Sequence, residues 1–365
     1  GLGAALRTKF TAHIGKLAAE GGAKSYMPSF DQKDDTIFEF RVNPDSLEWE
    51  RWKAPVWEYP TNVEEPDFSS ILISTIETTR AGYILQNLHR KKHAALMTGS
   101  AGTAKTSTAL LFFDSLAHQD NMRIKKVCFS SATAPVMIQN TLELELDKRG
   151  GKSFGPPGGK KMTVFLDDLS MPERNEWGDQ PTLEFLRQLI ETSGFCFLDK
   201  DKRGDLKVIE DLQFIAAMGH PGAGRQDIPN RIKRHFFVFN MILPSSVAIN
   251  EIYGSMLKGR YKQGVAGVFA AVVDYLPTAS VSLWNWMRTK MLPSPTKFHY
   301  TFTLREMSRV FTGVLRTPRA SVPDTKTLLM LWRNESERVY SDKLTTLEDK
   351  ALFLDQLNTV TKDIL

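Results

Sequence analysis

Eight residues, Gly99-Ser100-Ala101-Gly102-Thr103-Ala104-Lys105-Thr106, constrain the fold of this chain more than any other stretch. An apolar run, His93–Thr98, leads into them, and a helix-like run starting at Ser107 leads out. Strand, glycine-bearing loop and helix in that order make a phosphate cradle. Consecutive backbone N–H groups point at the anion and the helix N-terminus adds its dipole. Gly99 and Gly102 let the backbone come close. Lys105 would reach the β- and γ-phosphates, Thr106 would bind magnesium, and Ser107 is counted with the cradle. Ala104 breaks the pattern, because the motif has glycine just before the lysine. Alanine can serve there if its φ/ψ is ordinary, since a methyl adds little bulk. The plainer alternative is a Gly/Ser/Thr loop that only caps a helix.

A second stretch, Thr163-Val164-Phe165-Leu166-Asp167-Asp168, reads as a buried strand ending in two carboxylates. Asp167 would hold the magnesium through water, and Asp168 would polarise the attacking water. Many such sites carry Glu at the second position, and Asp is one methylene shorter. A base misplaced by about 1 Å can cost on the order of a hundredfold in rate. A turn-forming Asp-Asp pair is the alternative. Together the two stretches make a nucleotide with its magnesium the default ligand.

The rest of the composition narrows the class. A chain of 365 residues can hold two or three domains. Its net charge of +5 comes from scattered residues, which suits a solvated surface better than a nucleic-acid tract. Cys128 and Cys196 have no ligand spacing, so a zinc site or disulfide framework is excluded and buried structural thiols are expected. No window approaches a membrane span. The start, Gly1-Leu2-Gly3-Ala4, reads as part of a longer polypeptide.

From Ser70 to Phe239, apolar runs alternate with helical patterns, which predicts a parallel sheet flanked by helices. The expected strands are His93–Thr98, Lys126–Ser130, Met162–Asp167, Leu212–Met218 and His235–Phe239. The expected helices are Lys105–His118, Ala134–Asp147, Gln180–Thr192 and a short one near Pro229–Lys233. Phe195–Leu198 and Lys207–Ile209 read as a hairpin, and Lys148–Lys161, with five Gly and two Pro, as a loop. Past Pro244 the pattern turns helical: Ser246–Leu257, Val265–Lys290, Thr303–Leu315, Asp324–Tyr340 and Asp342–Leu365, with Pro277, Pro293 and Pro295 as punctuation. The expected division is an arm over 1–65, an α/β domain over 66–245 and a helical domain over 246–365. Within the arm, Glu39–Val42 suggests a short strand, and Trp49, Trp52, Trp57 and Tyr59 suggest packing onto the next domain.

Several longer stretches resemble one family. Leu166-Asp167-Asp168-Leu169-Ser170-Met171-Pro172 is similar to the acidic strand end of dynein heavy chains. So are Gln180-Pro181, Leu186-Arg187-Gln188, Ile215–Gly219 and Arg231-Ile232-Lys233-Arg234-His235-Phe236. Ile73–Arg80 looks like the segment ahead of the phosphate loop, and His299–Arg305 with Leu331–Val339 like the helical lid. The resemblance runs from Ile71 to Leu344. It is closest to the third AAA+ module of an axonemal, outer-arm heavy chain, where a loop ending Gly-Thr-Ala-Lys-Thr also occurs.

The resemblance implies an AAA+ P-loop large domain with a parallel sheet, an all-helical lid, and ATP or ADP with Mg2+ between them. It implies that Ile71, Leu72, Ile73, Ser74 and Thr75 line the adenine pocket, with Pro244 and its neighbours opposite. Arg305 matches the lid arginine that senses the terminal phosphates. Arg231 matches an arginine finger serving the preceding module, with Arg234 as the fallback. The implied partners are neighbouring AAA+ modules, a microtubule through a stalk outside this chain, and intermediate and light chains indirectly; nucleic acid and membrane are not expected. The implied setting is the cytoskeleton of a cilium or flagellum, and the implied role a regulatory element of a minus-end-directed motor. One departure weakens turnover: Gly219, followed by His220-Pro221, stands where a polar sensor, often Asn, ends the fourth strand. The site's own finger would also come from the next module, so hydrolysis in isolation should be slow or undetectable. Two other readings stay open: an AAA+ remodeller of nucleic acid, expected to show a basic loop with interleaved aromatics, and a structural ring spacer.

Overall fold

A computed structural model describes residues 4–30, 35–60, 67–68, 71–117, 121–197, 201, 204–222, 225–261 and 268–362. The chain opens with α1 (Ala4–Glu20) and a small antiparallel pair, β1 (Phe40–Val42) and β2 (Trp49–Arg51). It continues through α2 (Ile76–Arg90), β3 (Ala94–Thr98), α3 (Lys105–Ala117), β4 (Met122–Cys128) and α4 (Pro135–Glu143). A hairpin, β5 (Asp147–Gly150) and β6 (Ser153–Gly155), precedes β7 (Lys161–Asp167) and α5 (Pro181–Thr192). A second hairpin, β8 (Gly194–Cys196) and β9 (Leu206–Ile209), leads to β10 (Leu212–Met218), α6 (Asn230–Lys233) and β11 (Phe236–Asn240). Helices α7 (Ser246–Tyr261), α8 (Val268–Lys290), α9 (Leu304–Arg316), α10 (Thr325–Tyr340) and α11 (Leu347–Lys362) complete it.

Two compact units result, one of residues 1–53 and 78–243 and the other of 54–77 and 244–365. The stretch expected as an arm is therefore shared between them.

The first unit is built on a parallel sheet in the order β11-β3-β10-β7-β4. Side chains alternate along each strand and so feed two cores. Leu96, Val164, Leu166, Ala216 and Met218 pack against Ile138 and Leu142 of α4 and Leu183, Leu186 and Leu189 of α5. Ala95, Met97, Phe165, Ile215 and Ala217 pack on the other face against Ala81 and Leu85 of α2 and Phe112, Phe113 and Leu116 of α3. Helices on both faces of the sheet bury its three central strands, β3, β10 and β7, almost completely, which is why those strands read as continuous apolar runs.

Four local expectations differ from the structure. Lys148–Lys161 is not a loop: Asp147–Gly150 and Ser153–Gly155 pair antiparallel, and Ser153 and Phe154 run parallel to β9, forming a small sheet β5-β6-β9-β8. Its glycines supply the tight turn, with Gly151 at φ 55°. α4 stops at Glu143, so Asp147 starts a strand instead of ending a helix. β4 begins at Met122, earlier than expected, because an edge strand buried on few positions can carry Arg123, Lys125 and Lys126. Pro277 lies inside α8, where Val273, Leu276 and Ala279 around it are almost wholly buried and offset the backbone bond it cannot make.

The second unit is a helical core around Trp332, Phe311, Tyr261 and Phe353. Ile71 and Ile73 pack against that core together with Trp57 and Tyr59. α9 opens with a capping box: Thr303 N–H and its hydroxyl donate to Glu306 Oε2 (2.7 and 2.9 Å), and Arg305 N–H donates to Thr303 Oγ1 (3.2 Å). Lys343 Nζ adds a contact to Glu306 Oε1 at 3.2 Å. No helix among the described residues is long and apolar enough to cross a membrane.

Candidate functional site

The phosphate loop leaves the C-terminal end of β3 and enters α3, as the strand–loop–helix order requires. Gly99 is obligatory for packing. A Cβ there would lie 2.6 Å from the Met241 carbonyl oxygen and 2.7 Å from Thr103 Oγ1. Gly102 takes φ 82° and Ala104 takes φ 58°, so both are left-handed. The condition of an ordinary φ at Ala104 is thus not met: this alanine adopts a left-handed conformation that glycine takes more easily, with the strain a Cβ brings there. It is held by α3 itself, since Thr108 donates both its N–H (2.8 Å) and its hydroxyl (2.7 Å) to the Ala104 carbonyl.

Lys105 Nζ curls back over the loop, donating to the carbonyls of Gly99 (2.9 Å) and Ser100 (2.8 Å) and to Thr103 Oγ1 (3.3 Å). The ammonium is therefore already poised over the cradle. Thr106 Oγ1 donates to Asp167 Oδ2 at 3.0 Å, which joins the loop to the acidic strand end across the sheet. Asp167 Oδ1 accepts from the Asp168 N–H at 3.1 Å, so both of its oxygens are oriented. A hydroxyl and a carboxylate side by side are hard oxygen donors that suit Mg2+, which takes its remaining ligands from phosphate and water. Among the described residues there is no cluster of three or more His, Cys, Asp or Glu that could hold a metal by itself.

Asp168 sits just past the strand at φ 54°. Leu169 N–H donates to Ala217 O (3.0 Å) and Met171 N–H to Asp168 O (2.9 Å), so the chain turns tightly over the tip of β10 and leaves the Asp168 side chain half-exposed there. Cys128 pairs in register with Asp167 at the end of β4. It is exposed, and Cys196 is partly exposed, so neither is the buried thiol expected. Desolvation of the Cys128 sulfur, then the Asp167 and Asp168 carboxylates, push its pKa up. It stays a protonated, unreactive thiol at neutral pH.

The remaining candidates are spread over both units. Arg231 and Arg234, in and after α6, have side chains 66% and 61% exposed, lying 3.3 Å from Glu184 and 2.8 Å from Glu191 of α5 respectively. Both face solvent. In the helical unit, Arg305 is exposed on the first turn of α9, while Ile71, Leu72, Ile73 and Ser74 are partly buried outside any helix or strand and lead to buried Thr75. Pro244 precedes α7, whose first turn Ser245 caps by accepting from Ala248 N–H at 3.1 Å. Arg225, which no sequence pattern marks, lies across Gly219.

A cavity of about 970 Å³ lies at the opposite ends of the strands, lined by His93, Met122, Lys161, Leu212 and His235 among others. It holds none of the residues above. Ligands of open α/β sheets bind at the carboxyl ends of strands, which is where the phosphate loop stands and this cavity does not.

Comparison with known proteins agrees with that geometry. Residues 59–244, more than half of the chain, match the family described as the P-loop containing dynein motor region, and residues 276–365 match an AAA+ lid domain. The chain is 43% identical over 342 residues to the dynein gamma chain of the flagellar outer arm of Chlamydomonas reinhardtii, covering 89% of this chain and 8% of that protein. It is 40% identical over 341 residues to dynein axonemal heavy chain 5 of Rattus norvegicus, covering 92% and 10%. Against dynein axonemal heavy chain 8 of Homo sapiens it is 39% identical over 368 residues, covering 99% and 8%. The chain thus spans about a tenth or less of the length of these relatives.

Proposed function

We propose a function from one premise: the chain belongs to the dynein heavy-chain family, as an AAA+ P-loop domain with its lid. It acts as the third AAA+ module of the motor ring of an axonemal, outer-arm heavy chain. There it binds ATP or ADP with Mg2+ and passes the nucleotide state to its neighbours in a microtubule minus-end-directed motor of cilia and flagella. The module is regulatory, and its own turnover is slow. Its direct partners are the adjacent modules; the microtubule is reached through a stalk elsewhere in the heavy chain, and intermediate and light chains are reached indirectly.

The observation that carries this reading is the 3.0 Å hydrogen bond between Thr106 and Asp167, with Lys105 Nζ folded over the same loop. Bound Mg2+ would neutralise phosphate charge, with Thr106 as ligand and Asp167 holding its water. Lys105 would exchange the loop carbonyls for phosphate oxygens, and the loop N–H groups would donate to them. Asp168 would orient water at the strand tip. Ile71–Thr75 and Pro244 would bound the adenine, and Arg305 would meet the terminal phosphates from the lid. Arg231, with Arg234 as the alternative, would complete the preceding module's site.

A nucleic-acid remodeller gains nothing from these observations. Phe154, the aromatic of the segment it would need, packs under Lys207, whose Nζ lies 4.6 Å from the ring centroid. Calorimetric titration of the 365-residue chain with Mg-ADP tests the site. Lys105→Ala should weaken binding by about a hundredfold or more, the loss of two or more charge-assisted bonds. Unchanged affinity in that variant would remove the loop as the binding site, and no binding to the unsubstituted chain would favour the structural spacer.

A further inference from the structure

Gly219 directly follows β10 at the middle of the sheet. β10 lies between β3 and β7, with Met218 paired to Thr98 and Ala216 to Leu166. One residue further along β3 and β10 come Gly99 of the phosphate loop and Gly219, while on β7 the same register sets Asp167 level with Ala217 and Asp168 level with Met218. The place of a polar sensor is therefore right, and the side chain is missing.

The volume such a side chain would fill is not empty. A Cβ built on Gly219 would lie 2.0 Å from Arg225 Nη1, 2.5 Å from its Cζ and 2.7 Å from its Cδ. Any side chain at 219 and the present position of Arg225 exclude each other. The segment carrying Arg225 is fastened on both sides. Gly222 and Arg225 exchange reciprocal N–H···O bonds of 3.1 Å each, and Gln226 N–H donates to the Ser170 carbonyl at 3.1 Å, three residues beyond Asp167. The guanidinium has no carboxylate partner among the described residues, whereas Arg231 and Arg234 nearby in sequence both have one. A half-buried guanidinium at a strand tip without a carboxylate counter-charge is available to an anionic ligand.

We propose that Arg225 takes the sensor's place and contacts the terminal phosphate of bound ATP. This rests on the nucleotide-site reading above and specifies which nucleotide the site favours. The chemistry differs from that of an amide. Asn both donates and accepts, so it can hold a phosphate oxygen and also accept from the attacking water. A guanidinium only donates. Arg225 therefore grips phosphate oxygens, in the forked geometry that suits them, and cannot help to orient water. The exchange of Asn for Gly plus Arg225 converts a hydrolysis sensor into a triphosphate holder.

The test is calorimetric titration of the 365-residue chain with Mg-ATPγS and Mg-ADP in parallel. Arg225→Ala should lower ATPγS affinity about tenfold or more and ADP affinity less than about twofold, with Arg225→Lys recovering part of the loss. Gly219→Ala, whose methyl displaces the guanidinium, should reproduce Arg225→Ala, and the double variant should be no worse than either alone. Retained ADP binding shows that each variant is folded. Equal loss for both nucleotides, or no change for ATPγS, would overturn the role of Arg225 and leave the nucleotide site standing. Failure of the unsubstituted chain to bind either nucleotide would overturn both.

Discussion

Ala104 is the position within the phosphate loop where the structure contradicts ordinary residue preference, and its replacement by glycine has a calculable effect. A left-handed conformation costs an L-residue with a Cβ roughly 1–2 kcal/mol. Ala104 at φ 58° bears that cost, fixed by the two bonds from Thr108 to its carbonyl. Ala104→Gly removes it. Against that gain, glycine loses about 0.5–1 kcal/mol more conformational freedom on folding. The net expectation is a stabilisation of about 0.5–1 kcal/mol. For a unit of this size, 1 kcal/mol moves Tm by roughly 2–4 °C, so the rise should be about 1–4 °C. Differential scanning calorimetry of the chain without nucleotide measures it, and the transition that moves should be that of the α/β unit. Gly102→Ala supplies the opposite sign: at φ 82° the new methyl meets the same penalty, offset in part because alanine loses less conformational freedom on folding than glycine. That variant should lose about as much stability as Ala104→Gly gains. A fall in Tm for Ala104→Gly, or a neutral Gly102→Ala, would refute the claim that the loop stores left-handed strain at these residues.

Two other predictions concern chemistry and pH. As a hypothesis from its place at the strand tip, Asp168→Asn should leave nucleotide affinity within about twofold and slow hydrolysis at this site of the intact motor by on the order of a hundredfold; site-resolved single-turnover kinetics would show otherwise if another group polarises the water. In the helical unit, burial opposes ionisation of Glu306, but the Thr303 N–H and hydroxyl and Lys343 outweigh it and hold its pKa below the usual range. Such a carboxylate stabilises above its unfolded value, about 4.3, and that stability is lost as pH falls through the lower folded value. Glu306→Gln keeps a capping acceptor, so it should cost under about 1 kcal/mol at pH 7 and flatten the decline below pH 4.5 in acid-unfolding curves.

What could be read from the sequence follows the physics of each element. β3, β7 and β10 were legible because a parallel sheet covered on both faces leaves uninterrupted apolar runs. β4 was half-hidden because an edge strand tolerates Arg123, Lys125 and Lys126. The β5–β6 hairpin was invisible: its turn glycines look like a loop, and Ser153–Gly155 is recognised as a strand only by pairing with β9, far away in sequence. At the site, Lys105, Thr106 and Asp167 could be placed from spacing because backbone geometry dictates them. The conformation of Ala104 could not, since alanine gives no hint of positive φ. Arg225 lay outside reach for a different reason. A missing side chain at Gly219 reads as a loss, and only coordinates show another residue lying in the vacated volume.

The parts of the site differ in kind, and the difference points to its use. Those that grip phosphate are complete: a loop with Gly99 packed against Met241 and Thr103, an ammonium poised on that loop, and the Thr106–Asp167 pair. Those that act on water are each weakened. Asp168 is a methylene shorter than Glu, which by itself can separate a base from its water by about 1 Å and cost on the order of a hundredfold. The sensor position offers a donor-only guanidinium, and the exposed Arg231 and Arg234 reach Glu184 and Glu191 of α5. Binding energy that falls equally on ground state and transition state does not accelerate the chemical step. A site that strengthens its hold on the triphosphate while losing contacts to the attacking water lengthens the life of the ATP-bound state. For a regulatory ring module that is the useful property, because neighbours can respond to a nucleotide state only while it persists.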